Sequence, residues 1–115
     1  MFGKDGGVSK KSPMQLSLDY LNKCGFTCQI VEHWNAFAHI RQDCFGFADI
    51  LCYGQAPEQN DGRVGIALVQ TTTTPNHEAR HRKILASPHF KPWKRAGGRV
   101  FLHSWGKGGL REEEL

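Results

Sequence analysis

In Phe47-Ala48-Asp49-Ile50-Leu51-Cys52-Tyr53 six apolar residues enclose a single carboxylate. A nearly unbroken apolar run is the pattern of a strand buried on both faces, so residues 47–53 are predicted to lie in a sheet covered by helices. An ionised carboxylate there loses its hydration and must be paired, bind a metal or accept several hydrogen bonds. One reading is local, with Asp49 capping the backbone of the Phe45-Gly46-Phe47 turn. The other is functional, with Asp49 as a metal ligand at the head of the strand.

Upstream, Ser12, Pro13 and Gln15 supply an N-cap, a proline for the first helical position and a capping-box partner. Met14, Leu18 and Leu21 follow at helical spacing and Gly25 is a stop, which predicts a helix over residues 13–24. Residues 26–34 read as a first strand, with Phe26, Cys28 and Ile30 on one face and Thr27 and Gln29 on the other. Beyond residue 53 the chain is polar, and Asp61-Gly62 marks a hairpin turn whose returning strand, residues 64–72, pairs antiparallel with residues 47–53. Thr74, Pro75 and Glu78 open a second helix that ends at Ser87-Pro88. A short helical turn over residues 90–96 and a last strand over residues 99–105 complete the order.

The 115 residues suffice for one core, placed at residues 12–106 between a flexible leader (1–11) and a glycine-rich, acidic tail (107–115). No apolar run approaches the roughly 20 residues of a membrane helix, and the leader lacks a signal-peptide centre. A cytoplasmic protein without a membrane partner is therefore expected. Cys24, Cys28, Cys44 and Cys52 lack CxxC spacing and read as reduced thiols. The formal charge of +4 is concentrated: between His77 and Arg99 lie Arg80, Arg82, Lys83, Lys91, Lys94, Arg95 and Arg99 against the single acid Glu78. Such a stretch suits a polyanion.

The element order, together with Arg41-Gln42-Asp43-Cys44-Phe45-Gly46-Phe47-Ala48-Asp49 and Val69-Gln70-Thr71-Thr72, resembles the PD-(D/E)XK nuclease superfamily. More narrowly it resembles small phage and bacterial proteins described as nuclease or resolvase-like. The resemblance implies an α/β fold, a restriction-endonuclease-like αβββαβ core with a mixed sheet flanked by helices. It implies a Mg²⁺- or Mn²⁺-dependent endonuclease acting on DNA, ahead of RNA, including branched or phage-related DNA, with a homodimer as one assembly. By position, Asp49 matches the first metal ligand, Gln70 stands where the second motif has its acid and Thr72 where it has its lysine. Asp43 is a further metal-ligand candidate, and Lys83 a replacement for the lysine. Arg41, Arg80, Lys83, Lys94 and Arg95 are the candidate nucleic-acid contacts.

With the acid and lysine of the second motif replaced, a non-catalytic nucleic-acid-binding or assembly module on the same fold is the alternative. A third reading comes from His77-Glu78-Ala79-Arg80-His81, which matches the HExxH helix of zinc proteases. Its position just after Pro75 and its basic surroundings set it apart from that context. Trp34, Trp93 and Trp105 are expected in the core or its rim, with Trp93, beside Lys94 and Arg95, the best candidate to stack on a base.

Overall fold

The computed structural model describes residues 10–54 and 65–115; most of the leader and the Asp61-Gly62 turn lie outside the described residues. Helix α1 (Pro13–Lys23) begins where Ser12 Oγ accepts the Gln15 N–H at 3.2 Å. Gln15 does not reach back to the cap, since its amide donates to Asp19 Oδ1 at 2.9 Å. Gly25, at φ 93°, turns the chain into β1 (Thr27–Ile30). There follow β2 (His33–Asn35), β3 (Ile40–Gln42), β4 (Ile50–Gly54) and β5 (Gly65–Thr73). After a 3-10 turn at Thr74–Asn76 come α2 (His77–Ala86), α3 (Phe90–Arg95), β6 (Arg99–Gly106) and β7 (Gly109–Glu114).

Five strands form a mixed sheet in the order β1-β4-β5-β6-β7, and β2 and β3 form a separate hairpin. Within the sheet β5 and β6 run parallel, and the other neighbours are antiparallel. A parallel pair needs a crossover, and α2 and α3 fill it. Alternation along β5 then divides the interior in two. Val69 packs with Leu21, Phe26, Ile50 and Phe101 beneath α1, whereas Leu68 packs with Phe47, Ile84, Val100 and Leu102 beneath α2 and α3. The chain is thus a mixed α/β domain whose sheet is flanked by helices.

Three expectations need correction. The strand at Asp49 is buried on one face only: Ile50 and Cys52 are covered by α1, but Leu51 and Tyr53 are 37% and 44% exposed. The crossover helices lie over β5 and β6, so the doubly covered strands are those, not β4. The stretch 26–34 does not continue as one strand, because after Val31, whose N–H reaches Asp49 O at 2.8 Å, the chain leaves the sheet for the β2–β3 hairpin. The supposed acidic tail is largely strand β7, the sheet's edge, entered through Gly109 at φ 93°. Its glutamates have partners there: Arg99 donates two hydrogen bonds to Glu114, at 2.7 and 2.8 Å. All four cysteines are free thiols. Among the described residues no helix is long and apolar enough to cross a membrane.

Candidate metal centre

The chain reaches Asp49 through a tight turn in which Cys44 and Ala48 exchange hydrogen bonds of 2.8 and 2.9 Å, with Phe45 and Gly46 both at positive φ. The Asp49 backbone is clamped on both sides, its N–H donating to Val69 O at 2.9 Å and its carbonyl accepting from Val31. The side chain does not cap the turn. Asp49 Oδ2 accepts from Thr71 N at 2.8 Å, Thr71 Oγ1 at 3.0 Å and Gln70 Nε2 at 2.9 Å. One carboxylate oxygen is thereby fully engaged, and the rigid β4–β5 pairing fixes its direction.

Glu32 and Asp43 complete a cluster with Asp49: one ligand oxygen from each lies within 4.8 Å of the others. The three come from the end of the β1 segment, the end of β3 and the head of β4. They line an open cleft of about 320 Å³ together with Gln70, Thr71, Arg80 and the first residues of α1. Asp49 is 4% exposed, and its carboxyl is pushed up from 3.8 to about 7, chiefly by burial and further by the charges of Asp43 and Glu32, against the Thr71 hydrogen bonds. The Gln70 carboxamide is pinned in one orientation because Nε2 faces two acceptors, Asp49 Oδ2 and Thr71 O. Its Oε1 is consequently a buried acceptor that meets no donor among the described residues.

A divalent cation fits this donor set. Carboxylate and amide oxygens are the ligands that Mg²⁺ and Mn²⁺ prefer, a cation there would relieve the crowding of negative charge, and Gln70, bonded to Asp49 through Nε2, has an amide oxygen without a donor among the described residues. Two of the acids already have basic neighbours, Lys83 Nζ at 2.9 Å from Asp43 and Arg41 at 3.7 Å from Glu32. Asp49 has no such cation among the described residues.

Of the residues singled out in the sequence, Asp49, Asp43, Gln70 and Arg80 meet at this cleft, and Lys83 reaches it through Asp43. Thr72, expected in a catalytic role at the lysine position, is buried at 6% exposure and does not line the cleft. It lies one residue beyond Thr71, the threonine that engages Asp49, and two beyond Gln70, the last residue on its own face of β5 to reach the cleft. Lys94 and Arg95 lie on α3 away from the cleft, and Lys94 Nζ donates to Leu115 O at 2.7 Å. Glu32 and Thr71 were missed. Glu32 fell inside a stretch read as strand, and Thr71 was the unspecified middle position of the motif.

The HExxH residues form a different arrangement on α2. His77 is buried, with Nδ1 2.7 Å from Ser104 Oγ and Nε2 2.8 Å from Glu113 Oε1. His81 Nδ1 meets the same Glu113 oxygen at 3.0 Å, while Glu78 points outward to Arg111. The tryptophans exchange their expected places: Trp93 is partly buried, its indole N–H donating to Arg99 O at 2.8 Å, whereas Trp34 is 55% exposed. Comparison with protein families, curated proteins and solved structures found no match.

The raised Asp49 pKa has a definite sign. Because the folded value lies above the unfolded one, the stability it contributes is complete below about pH 3.8 and is lost as pH rises to about 7. In EDTA, Asp49→Asn is therefore expected to gain stability relative to the unaltered protein through this window, reaching on the order of 4 kcal/mol at pH 8. Thermal melts from pH 4 to 8 measure the difference. A pH-independent gap would argue against the burial of a charge at Asp49.

Proposed function

We propose that the protein is a divalent-metal-dependent nuclease that hydrolyses DNA phosphodiester bonds on a restriction-endonuclease-like core. The observation that carries this reading is the convergence of Asp49, Asp43 and Glu32 beside the orphaned Gln70 Oε1, in a cleft bordered by Arg80. The mixed sheet with helices on both faces supports the same reading: with the β2–β3 hairpin, α3 and β7 set aside, the remaining elements run α1, β1, β4, β5, α2, β6.

Glu32, Asp43 and Asp49 would hold Mg²⁺ or Mn²⁺, with Gln70 Oε1 as the neutral donor. When bound, such an ion supplies Lewis-acid activation of the phosphodiester and of the water that attacks it. The remaining work falls to the chain. Thr71 and the Gln70 amide hold Asp49 Oδ2, which fixes the orientation of the carboxylate and leaves its other oxygen free of those donors. Arg80, with no acidic partner among the described residues, offers its guanidinium to a phosphate and to the charge that develops on it. The N-terminal turn of α1, at Ser12, Pro13 and Met14, presents the positive end of its dipole to the same cleft. Lys83 orients Asp43 and offsets its charge.

Incubation with supercoiled, linear and single-stranded DNA in Mg²⁺, Mn²⁺ or EDTA tests the proposal. Cleavage is expected with either metal and none in EDTA, and Arg80→Ala is expected to slow it about 100-fold. Absence of cleavage under every condition sinks the catalytic reading. The ion pairs of Lys83 and Arg41 with two of the acids favour the second reading, a DNA-binding module that does not cut. That module predicts salt-sensitive DNA retention that survives Asp49→Ala.

A further inference from the structure

Residues 33–42 are inserted between Glu32 and Asp43, so both ends of the β2–β3 hairpin start from the metal centre. The hairpin packs into neither core. Its turn nonetheless has a set shape: Asn35 Oδ1 accepts the N–H groups of Phe37 at 3.0 Å and Ala38 at 3.1 Å, and His39 adopts φ 54°. That shape holds Phe37 at the tip, 98% exposed, while Trp34 at 55% and Ile40 at 49% are exposed on opposite faces of the two strands. Trp34 lies opposite Arg41 in the strand pairing, and its ring meets the His39 ring edge-on at 6.3 Å. Scattered exposed apolar residues are ordinary, but a bare Phe37 held on an ordered turn, with an exposed Trp34 in the same hairpin, suits contact with a partner.

Charge at the foot of the hairpin identifies the partner. A second cleft, of about 420 Å³, is lined by His33, Arg41, Gln42, Asp43, Gly46 and Lys83. It shares Asp43 with the metal cleft, so the two adjoin. The Arg41 and Lys83 side chains are 65% and 38% exposed even while paired with acids. A cleft that carries Arg41 and Lys83 at the foot of a hairpin with exposed aromatic rings suits single-stranded nucleic acid, whose phosphates can exchange for the acids that pair with these cations while its bases stack on the rings. In an intact duplex the base faces are already stacked on one another and closed to Phe37.

We propose that the β2–β3 hairpin is a base-stacking platform, with Phe37 and Trp34 selecting DNA that has unpaired bases next to the phosphate in the metal cleft. This rests on the nuclease reading and gives it a substrate class: single-stranded, forked or branched DNA. Neither aromatic residue is needed for the fold, so both can be altered without loss of structure.

The test is binding by the Asp49→Asn protein in EDTA, where no cleavage intervenes, to fluorescently labelled oligo(dT), a forked duplex and a blunt duplex. Oligo(dT) and the fork are expected to bind more tightly than the blunt duplex. Phe37→Ala and Trp34→Ala are each expected to weaken oligo(dT) binding about tenfold and to leave blunt-duplex binding unchanged. Oligo(dT) should also quench tryptophan fluorescence, and Trp34→Phe should remove that quenching. Unchanged oligo(dT) affinity in Phe37→Ala overturns the proposal. So does a change in sedimentation on Phe37→Ala, which would assign the hairpin to contact between copies of the chain. If the unaltered protein cleaves DNA in Mn²⁺ while the hairpin variants bind normally, the platform alone falls; if it neither binds nor cleaves DNA, both readings fall.

Discussion

Asp49→Ala is expected to lower metal-dependent DNA cleavage about 1000-fold. A unit charge pair at about 4 Å is worth roughly 4 kcal/mol under surface-like screening, and about 1.4 kcal/mol corresponds to a factor of ten in rate. Asp49 is the carboxylate for which that charge matters most. Glu32 and Asp43 have Arg41 and Lys83 beside them, whereas Asp49 is buried and engaged by neutral donors. Alanine also strands the Thr71 and Gln70 donors in the interior, so Asp49→Asn serves as the companion variant: it keeps a carbonyl acceptor and removes the charge. Rates for both variants, with near-ultraviolet circular dichroism as the control for folding, make the comparison. Cleavage within tenfold of the unaltered protein would mean that Asp49 is not a metal ligand.

The second large effect concerns stability. His77→Ala is expected to destabilise the domain by about 3 kcal/mol, from the cavity left and the hydrogen bonds lost, and to lower the melting temperature by about 12 °C or more. His77 is 1% exposed and joins two strands, with Ser104 of β6 on one ring nitrogen and Glu113 of β7 on the other. Its loss leaves Ser104 Oγ buried without that partner and removes one of the ties between α2 and the edge strand. The other face of the sheet repeats the pattern, where His103 bridges Ser17 Oγ at 2.9 Å and Glu112 at 2.8 Å. Glu113 contributes as well, since hydrogen bonds from His81 and His77 hold its carboxyl below the usual range. Thermal melts in EDTA and in Zn²⁺ discriminate the alternatives. The destabilisation is expected in both, whereas a zinc ligand at His77 would matter only when zinc is present.

These two histidines show where the sequence stops being informative. Helix α1 could be read from Ser12, Pro13 and the Met14-Leu18-Leu21 spacing, and the antiparallel β4–β5 pairing from two strand-like runs joined by a segment with Asp61-Gly62, because both are set by consecutive stretches of chain. Strand β7 could not. Its inward-facing residues include Glu112 and Glu113, charges that hydropathy assigns to solvent and that become acceptable in the sheet only by meeting His103 and His77.

The candidate site divides along the same line. Asp49 was legible because a lone charge in an apolar run is anomalous by itself. Glu32 was not, since its role depends on the chain leaving the sheet at Val31 and returning at Asp43 around a hairpin. The exposure of Trp34 follows from the same excursion. In this domain the features set by local pattern were readable, and those set by where a distant segment returns were not.

The metal centre is tested most directly by diffusing Mn²⁺ into crystals of the protein and mapping its anomalous scattering. Manganese is expected among the oxygens of Glu32, Asp43 and Asp49, next to Gln70 Oε1, and is expected to be lost in Asp49→Asn. Manganese between His77 and His81, or none in the Asp49 cleft at saturating concentration, would contradict the account.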